Sequence, residues 1–176
     1  KSAGGAWEEN ENGVRFYIPG DLLSTEVITQ PHPGFMTDWQ GPWSVLMTQA
    51  KGTSVIHETI YEGRFAYVEE LLKMGAKLEF FTPIVENPQQ MYNFNFDHDN
   101  KEHFKQGLSI FGKSNLHNAV LNIADLRAGA TLVIASLVAI GESVIYGVEH
   151  IERGYEDFDK RLKSLGADII SEEELV

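Results

Sequence analysis

Apolar and polar positions change period several times along this chain, and each change marks an element. Short β-branched and aromatic runs, VRFYI (14–18), EVIT (26–29), LSIF (108–111) and AVLNI (119–123), predict strands. Apolar residues three and four apart predict helices over 41–50, 64–74, 127–140 and 153–165. Strand patterns follow these helices at 53–58, 77–81, 143–147 and 168–171. Gly75 and Gly166 stand where a helix C-cap glycine is expected.

The elements recur because the sequence recurs. LLKMGAKLEFF (71–81) matches RLKSLGADIIS (161–171), and the opening KSAGGAWEE reads as a third, truncated copy. GTSVIHETIYEGRF (52–65) parallels GESVIYGVEHIERGY (141–155), and TDWQ (37–40) parallels ADLR (124–127). Asp38 thereby corresponds to Asp125, Gln40 to Arg127 and Arg64 to Arg153. Alternating helices and strands indicate an α/β fold built from duplicated β-α-β-α-β-β units. One stretch breaks the symmetry: residues 82–107 are polar, rich in Asn and Gln, studded with aromatics, and have no counterpart after the second unit. They read as an insertion, a hairpin or a surface flap.

PHPGFMTDWQ (31–40) stiffens the backbone with two prolines, permits a tight turn at Gly34, and then places Asp38. Such a corner either serves packing or holds Asp38 in one position. An Asp before a helix is also a common N-cap, a role that suits Asp125 comfortably.

Composition narrows the function classes. A chain of 176 residues is one domain or slightly more, and 43% apolar content is that of a folded protein. The net charge of −12, with no Lys/Arg cluster, provides no footprint for nucleic acid or an anionic membrane. The longest apolar run, residues 130–141, is too short to span a bilayer, and no signal peptide is visible. Absence of cysteine excludes disulfides and thiolate metal sites and suits a reducing compartment, so a cytoplasmic location is expected. Opening without methionine, the chain reads as an excised piece of a longer protein.

Arginine carries the most chemical information. Of five arginines, Arg64, Arg127 and Arg153 fall at element ends in the repeated motifs, where helix starts with an adjacent guanidinium favour anions. A lone Arg is usually a surface ion pair; three in repeat-equivalent contexts favour an anion-binding cleft. Asp38 beside such a cleft is balanced between cap and general base. HETIY (57–61) lacks the second histidine of HExxH, and DHDNKEH (97–103) reads as solvated loop before metal site. No GxxxxGK[ST], GxGxxG or GxSxG motif occurs, and neither metal nor cofactor is expected.

Taken together, PHPGFMTDWQ, ETIYEGRFAYVEELLKMGA, DLRAGATLVIASLVAIGES and HIERGYEDFDKRLKSLGADI resemble the C-terminal part of the UDP-N-acetylglucosamine 1-carboxyvinyltransferase family of enolpyruvyl transferases. The resemblance covers residues 1–176 apart from the 82–107 insertion. It implies an inside-out α/β barrel of repeated units. It also implies transfer of the enolpyruvyl group of phosphoenolpyruvate to the 3′-hydroxyl of UDP-N-acetylglucosamine, the first committed step of peptidoglycan synthesis. By the same resemblance, Asp38 is similar to the family's proposed base, and Arg127 and Arg153 to arginines that hold phosphoenolpyruvate. Ile60 is similar to a backbone contact of the sugar nucleotide, Arg64 to an arginine of that cleft, and Asp125 to a further active-site acid. A Lys-Asn pair and a loop Cys or Asp would come from a missing N-terminal part of the same protein. The sibling enolpyruvyl transferase of the shikimate pathway and a non-catalytic binding module on the same fold stand as alternatives.

Overall fold

The computed structural model describes residues 2–95 and 105–172. Its first strands, β1 (Ala6–Asn10) and β2 (Gly13–Tyr17), form an antiparallel hairpin. Strand β3 (Glu26–Ile28) leads through the Pro/Gly corner and a 3-10 turn (Thr37–Trp39) into helix α1 (Gln40–Thr48). Then come β4 (Gly52–His57), α2 (Val68–Lys73), β5 (Leu78–Phe81), the short α3 (Pro88–Met91) and β6 (Gly107–Gly112). The second unit contains β7 (Val120–Asn122), α4 (Leu126–Val138), β8 (Val144–Tyr146), α5 (Glu149–Glu152) and α6 (Phe158–Ser164).

Both units use the same handful of backbone solutions. β3 and β4 pair in parallel across α1, as β7 and β8 do across α4. β6 completes a four-stranded sheet in the order β3-β4-β6-β5, antiparallel to both β4 and β5. Gly4, Gly75 and Gly166 occupy the three repeat-equivalent positions with φ of +84°, +87° and +96°, the left-handed conformation that closes a helix and favours glycine. The matching sequences thus encode matching turns.

Helices α1 and α4 form the inner layer. α1 buries Gln40, Gly41, Ser44, Val45, Met47 and Thr48, and α4 buries the face from Ala128 to Ala135, so the two equivalent helices pack against each other with the sheets outside them. This is the inside-out arrangement. Contact is close: a Cβ on Gly41 would lie 2.1 Å from Thr131 Oγ1. Around this seam Met47, Ile56, Leu71, Met74, Leu108, Ile110, Leu121 and Leu132 are fully buried.

Three expected elements differ. The helix expected over 64–74 starts only at Val68, because Phe65 and Tyr67 enter the core from a preceding turn. The helix expected over 153–165 starts only at Phe158, as α6, because residues 153–157 form a turn after α5 in which Asp157 takes φ +47°. Residues 168–171 are not a strand: β1 and β5 each have a following antiparallel partner, and among the described residues nothing lies alongside 168–171 to complete a ladder.

The 82–107 stretch is no hairpin in its described part. It contains α3 and then buries Tyr92 against His57. The histidine-bearing DHDNKEH motif lies outside the described residues. Among the described residues no helix is long and apolar enough to cross a membrane.

Candidate active site

Packing of α1 on α4 brings their N-terminal ends together, and that juxtaposition builds the site. Asp38 lies in the 3-10 turn before α1, and Arg127 in the first turn of α4. Arg127 Nε donates to Asp38 Oδ1, and Arg64 Nη2 donates to the same oxygen at 3.2 Å. The carboxylate holds Arg127 above its ordinary value, and Tyr155 and Tyr61 add to the effect. Among the described residues no hydrogen bond falls on Asp38 Oδ2, so one carboxylate oxygen is committed and the other is open. The Asp38 side chain is 54% exposed and Arg127 44%, whereas Arg64 is only 21% exposed. Arg64 lies under the Tyr61 ring, 4.4 Å from its centroid, with Nε 3.4 Å from Thr37 Oγ1.

The corner before Asp38 is braced from within. Gly34 N–H donates to Pro31 O at 2.8 Å and Gln30 N–H to Phe35 O at 2.8 Å, with a cis peptide bond at His32–Pro33. Gly34 is required by proximity, since a Cβ there would lie 2.4 Å from Gln30 Cβ. Phe35 is gripped edge-on by Trp39 and Trp43, with centroids 5.8 and 5.6 Å away.

A second brace is Glu58, which spacing did not single out beyond the failed HExxH match. It is fully buried, and its carboxylate accepts five hydrogen bonds. Oε1 takes Thr29 Oγ1 at 3.0 Å, Ile60 N at 2.8 Å and Tyr61 N at 3.0 Å. Oε2 takes Thr37 Oγ1 at 2.9 Å and Gln40 Nε2 at 2.6 Å. Tyr67 Oη extends the network by donating to Gln40 Oε1 at 3.0 Å and meeting Ser44 Oγ at 2.7 Å. One buried carboxylate therefore ties the residue after β3, the Asp38 turn, α1 and the Ile60–Tyr61 turn into a rigid unit. The sequence signal was the broken symmetry: the equivalent position after β8 is Gly147.

The remaining candidates are placed as follows. Asp125 is the N-cap of α4, its Oδ1 accepting from the N–H groups of Arg127 and Ala128 at 2.8 and 2.9 Å. The expected anion site at free helix-start N–H groups is therefore partly filled by the chain itself. Arg64 precedes α2 by a turn and Arg153 follows α5, so neither begins a helix. Arg153 still lies near α4, because its neighbour Gly154 packs where a Cβ would be 2.6 Å from Leu126 Cδ2. Its side chain is exposed and has no ion-pair partner among the described residues. Ile60 lines a separate cleft of about 670 Å³ between the proline corner and α3. With its N–H held by Glu58, its backbone has the carbonyl left to hydrogen-bond a ligand.

Next to Glu58, His57 Nε2 lies 2.9 Å from Tyr92 Oη. Burial holds the imidazole below its ordinary value of 6.5, outweighing the opposite pull of Glu58. A base depressed in this way binds fewer protons when folded than when unfolded. Its contribution to stability is whole above pH 6.5 and is lost as pH falls from there through the lowered folded value. Chemical denaturation of the complete protein between pH 7.5 and 5 is expected to show this loss, and His57→Gln to remove its share of the slope. Identical slopes for both proteins would refute it.

The family model described as EPSP synthase (3-phosphoshikimate 1-carboxyvinyltransferase) matches residues 1–162. The UDP-N-acetylglucosamine 1-carboxyvinyltransferase of Protochlamydia amoebophila is 38% identical over 175 residues, 99% of this chain and 36% of that protein. The protein of the same name from Thermodesulfovibrio yellowstonii is 41% identical over 169 residues, 96% of this chain and 35% of the relative. Among solved structures, the enolpyruvyl transferase NikO from Streptomyces tendae matches with a TM-score of 0.73 and 25% identity, covering 95% of this chain and 34% of that one. An EPSP synthase from Acinetobacter baumannii shares the fold at a TM-score of 0.58 and 18% identity, over 97% of this chain and 35% of that one. The chain thus spans about a third of the length of the curated relatives it matches.

Proposed function

This chain belongs to the enolpyruvyl transferase family, described by its matching model as EPSP synthase (3-phosphoshikimate 1-carboxyvinyltransferase), and from that premise we propose that the complete protein is a UDP-N-acetylglucosamine 1-carboxyvinyltransferase. It transfers the enolpyruvyl group of phosphoenolpyruvate to the 3′-hydroxyl of UDP-N-acetylglucosamine and releases phosphate. Such a step is cytoplasmic and serves peptidoglycan synthesis, and through it cell-wall biogenesis, cell shape and division. The observation that carries this reading is the Asp38–Arg64–Arg127 cluster at the meeting of the two helix starts.

Asp38 Oδ2 takes the proton of the acceptor hydroxyl while its oxygen attacks C2 of phosphoenolpyruvate, whose C3 gains a proton from a group outside this chain. Loss of a C3 proton from the resulting adduct then expels phosphate by cleavage of the C2–O bond. Arg127 and Arg153 hold the carboxylate and phosphate, and Arg64 keeps Asp38 in place. Asp125 fixes the start of α4 and so the origin of the Arg127 side chain. Ile60 offers its carbonyl to the sugar nucleotide. The chain carries the C-terminal part of this site, 1–176 with the 82–107 segment added, and an N-terminal part supplies the rest.

Arg153→Ala tests the anion assignment. A charge-assisted hydrogen bond contributes roughly 1.5–3 kcal/mol, so KM for phosphoenolpyruvate is expected to rise roughly 10- to 100-fold in the complete protein. KM for the sugar nucleotide should move little. An equal rise in both would refute a phosphoenolpyruvate-specific role.

A further inference from the structure

The segment between β5 and β6 forms one wall of the cleft of about 670 Å³ beside Ile60. That volume suits a small-molecule fragment. Pro31 and Pro33 face it from the corner, and Gln90, Met91 and Asn93 from the β5–β6 segment. No lining residue is charged, while three, Gln30, Gln90 and Asn93, carry primary amides. An uncharged wall offers no opposite charge to a diphosphate or phosphoenolpyruvate, whose anions are matched better by the arginines nearby. It does match an acetamido group. Such a group presents one N–H and one C=O, which side-chain amides pair from either end, and a methyl that Met91 and Ile60 can cover.

The wall is held in place before any ligand arrives. Asn93 N–H donates to Thr59 O at 2.8 Å, and buried Tyr92 is tied to His57 at 2.9 Å. The side chains of Gln90 and Asn93 themselves are exposed. Anchored backbone with free amides is a preorganised reading head. The opposite wall is the proline corner, which continues through Thr37 into Asp38, so cleft and base share one rigid piece.

We infer that Gln90 and Asn93 form a specificity element that reads the acetamido-sugar part of the acceptor. This rests on the function proposed above. The test uses the complete protein and measures Kd for UDP-N-acetylglucosamine and for UDP-glucose, which has a hydroxyl in place of the acetamido group. The wild type is expected to prefer the acetamido sugar by about tenfold or more. The Gln90→Ala/Asn93→Ala double variant should lose most of that preference by weakening UDP-N-acetylglucosamine alone, with KM for phosphoenolpyruvate and affinity for UDP-glucose within about twofold of wild type. An unchanged preference, or equal weakening of both sugar nucleotides, would overturn the inference while leaving the proposed function intact. Wild-type protein that releases no phosphate from phosphoenolpyruvate with UDP-N-acetylglucosamine would overturn both.

Discussion

Replacing Glu58 by alanine in the complete protein is expected to cost about 3–5 kcal/mol of folding stability, as read by chemical denaturation. Five donors converge on that carboxylate, and two of them, the N–H groups of Ile60 and Tyr61, cannot turn into acceptors. Alanine leaves all five without their partner in a fully buried place. Glu58→Gln should cost much less, about 1–2 kcal/mol. Its carbonyl can keep the two backbone donors, while its amide faces Thr37 and Gln40. Gln40 can then reverse its amide, because Tyr67 Oη is able to accept and pass its own proton to Ser44 Oγ. A cost below about 1 kcal/mol for alanine, or equal costs for the two variants, would contradict the role of Glu58 as the brace of the site.

Asp38→Ala is expected to lower kcat by about 10²- to 10⁴-fold while changing stability by no more than about 1 kcal/mol. Asp38 and Arg127 are about half exposed, and the more buried Arg64 keeps Thr37 Oγ1 and the Tyr61 ring, so folding depends on these pairs little. Asp38→Asn separates the possible roles. It keeps the shape and an oxygen for Arg64 and Arg127 but removes the proton acceptor, so it should fall as far as alanine. An asparagine variant retaining wild-type kcat would assign Asp38 to placement of the arginines.

Much of this architecture was visible in the repeats. Gly75 and Gly166 fall at equivalent left-handed turns, Gly4 adds the third copy, and β3-α1-β4 and β7-α4-β8 follow the predicted pattern. Equivalence of Asp38 and Asp125 also located the helix starts that meet at the site. Their roles diverge through context: Asp125 turns back onto its own helix, and Asp38 reaches across to Arg127. Local patterns misplaced Arg64 and Arg153 because Phe65, Tyr67, Gly154 and Asp157 obey tertiary packing and turn geometry, which helical periodicity does not register. Glu58 was illegible for a different reason. Its five partners come from three separate stretches, and nothing in their spacing announces that they converge. The wall formed by Gln90 and Asn93 shows the same limit: composition marked the segment as polar and inserted, and only the fold set it against Ile60.

Phosphate release from phosphoenolpyruvate by the complete protein, measured separately with UDP-N-acetylglucosamine and with shikimate 3-phosphate, decides the function most directly. Release is expected only with the sugar nucleotide, with one phosphate per enolpyruvyl ether formed. Release with shikimate 3-phosphate alone, or with neither acceptor, would contradict the account.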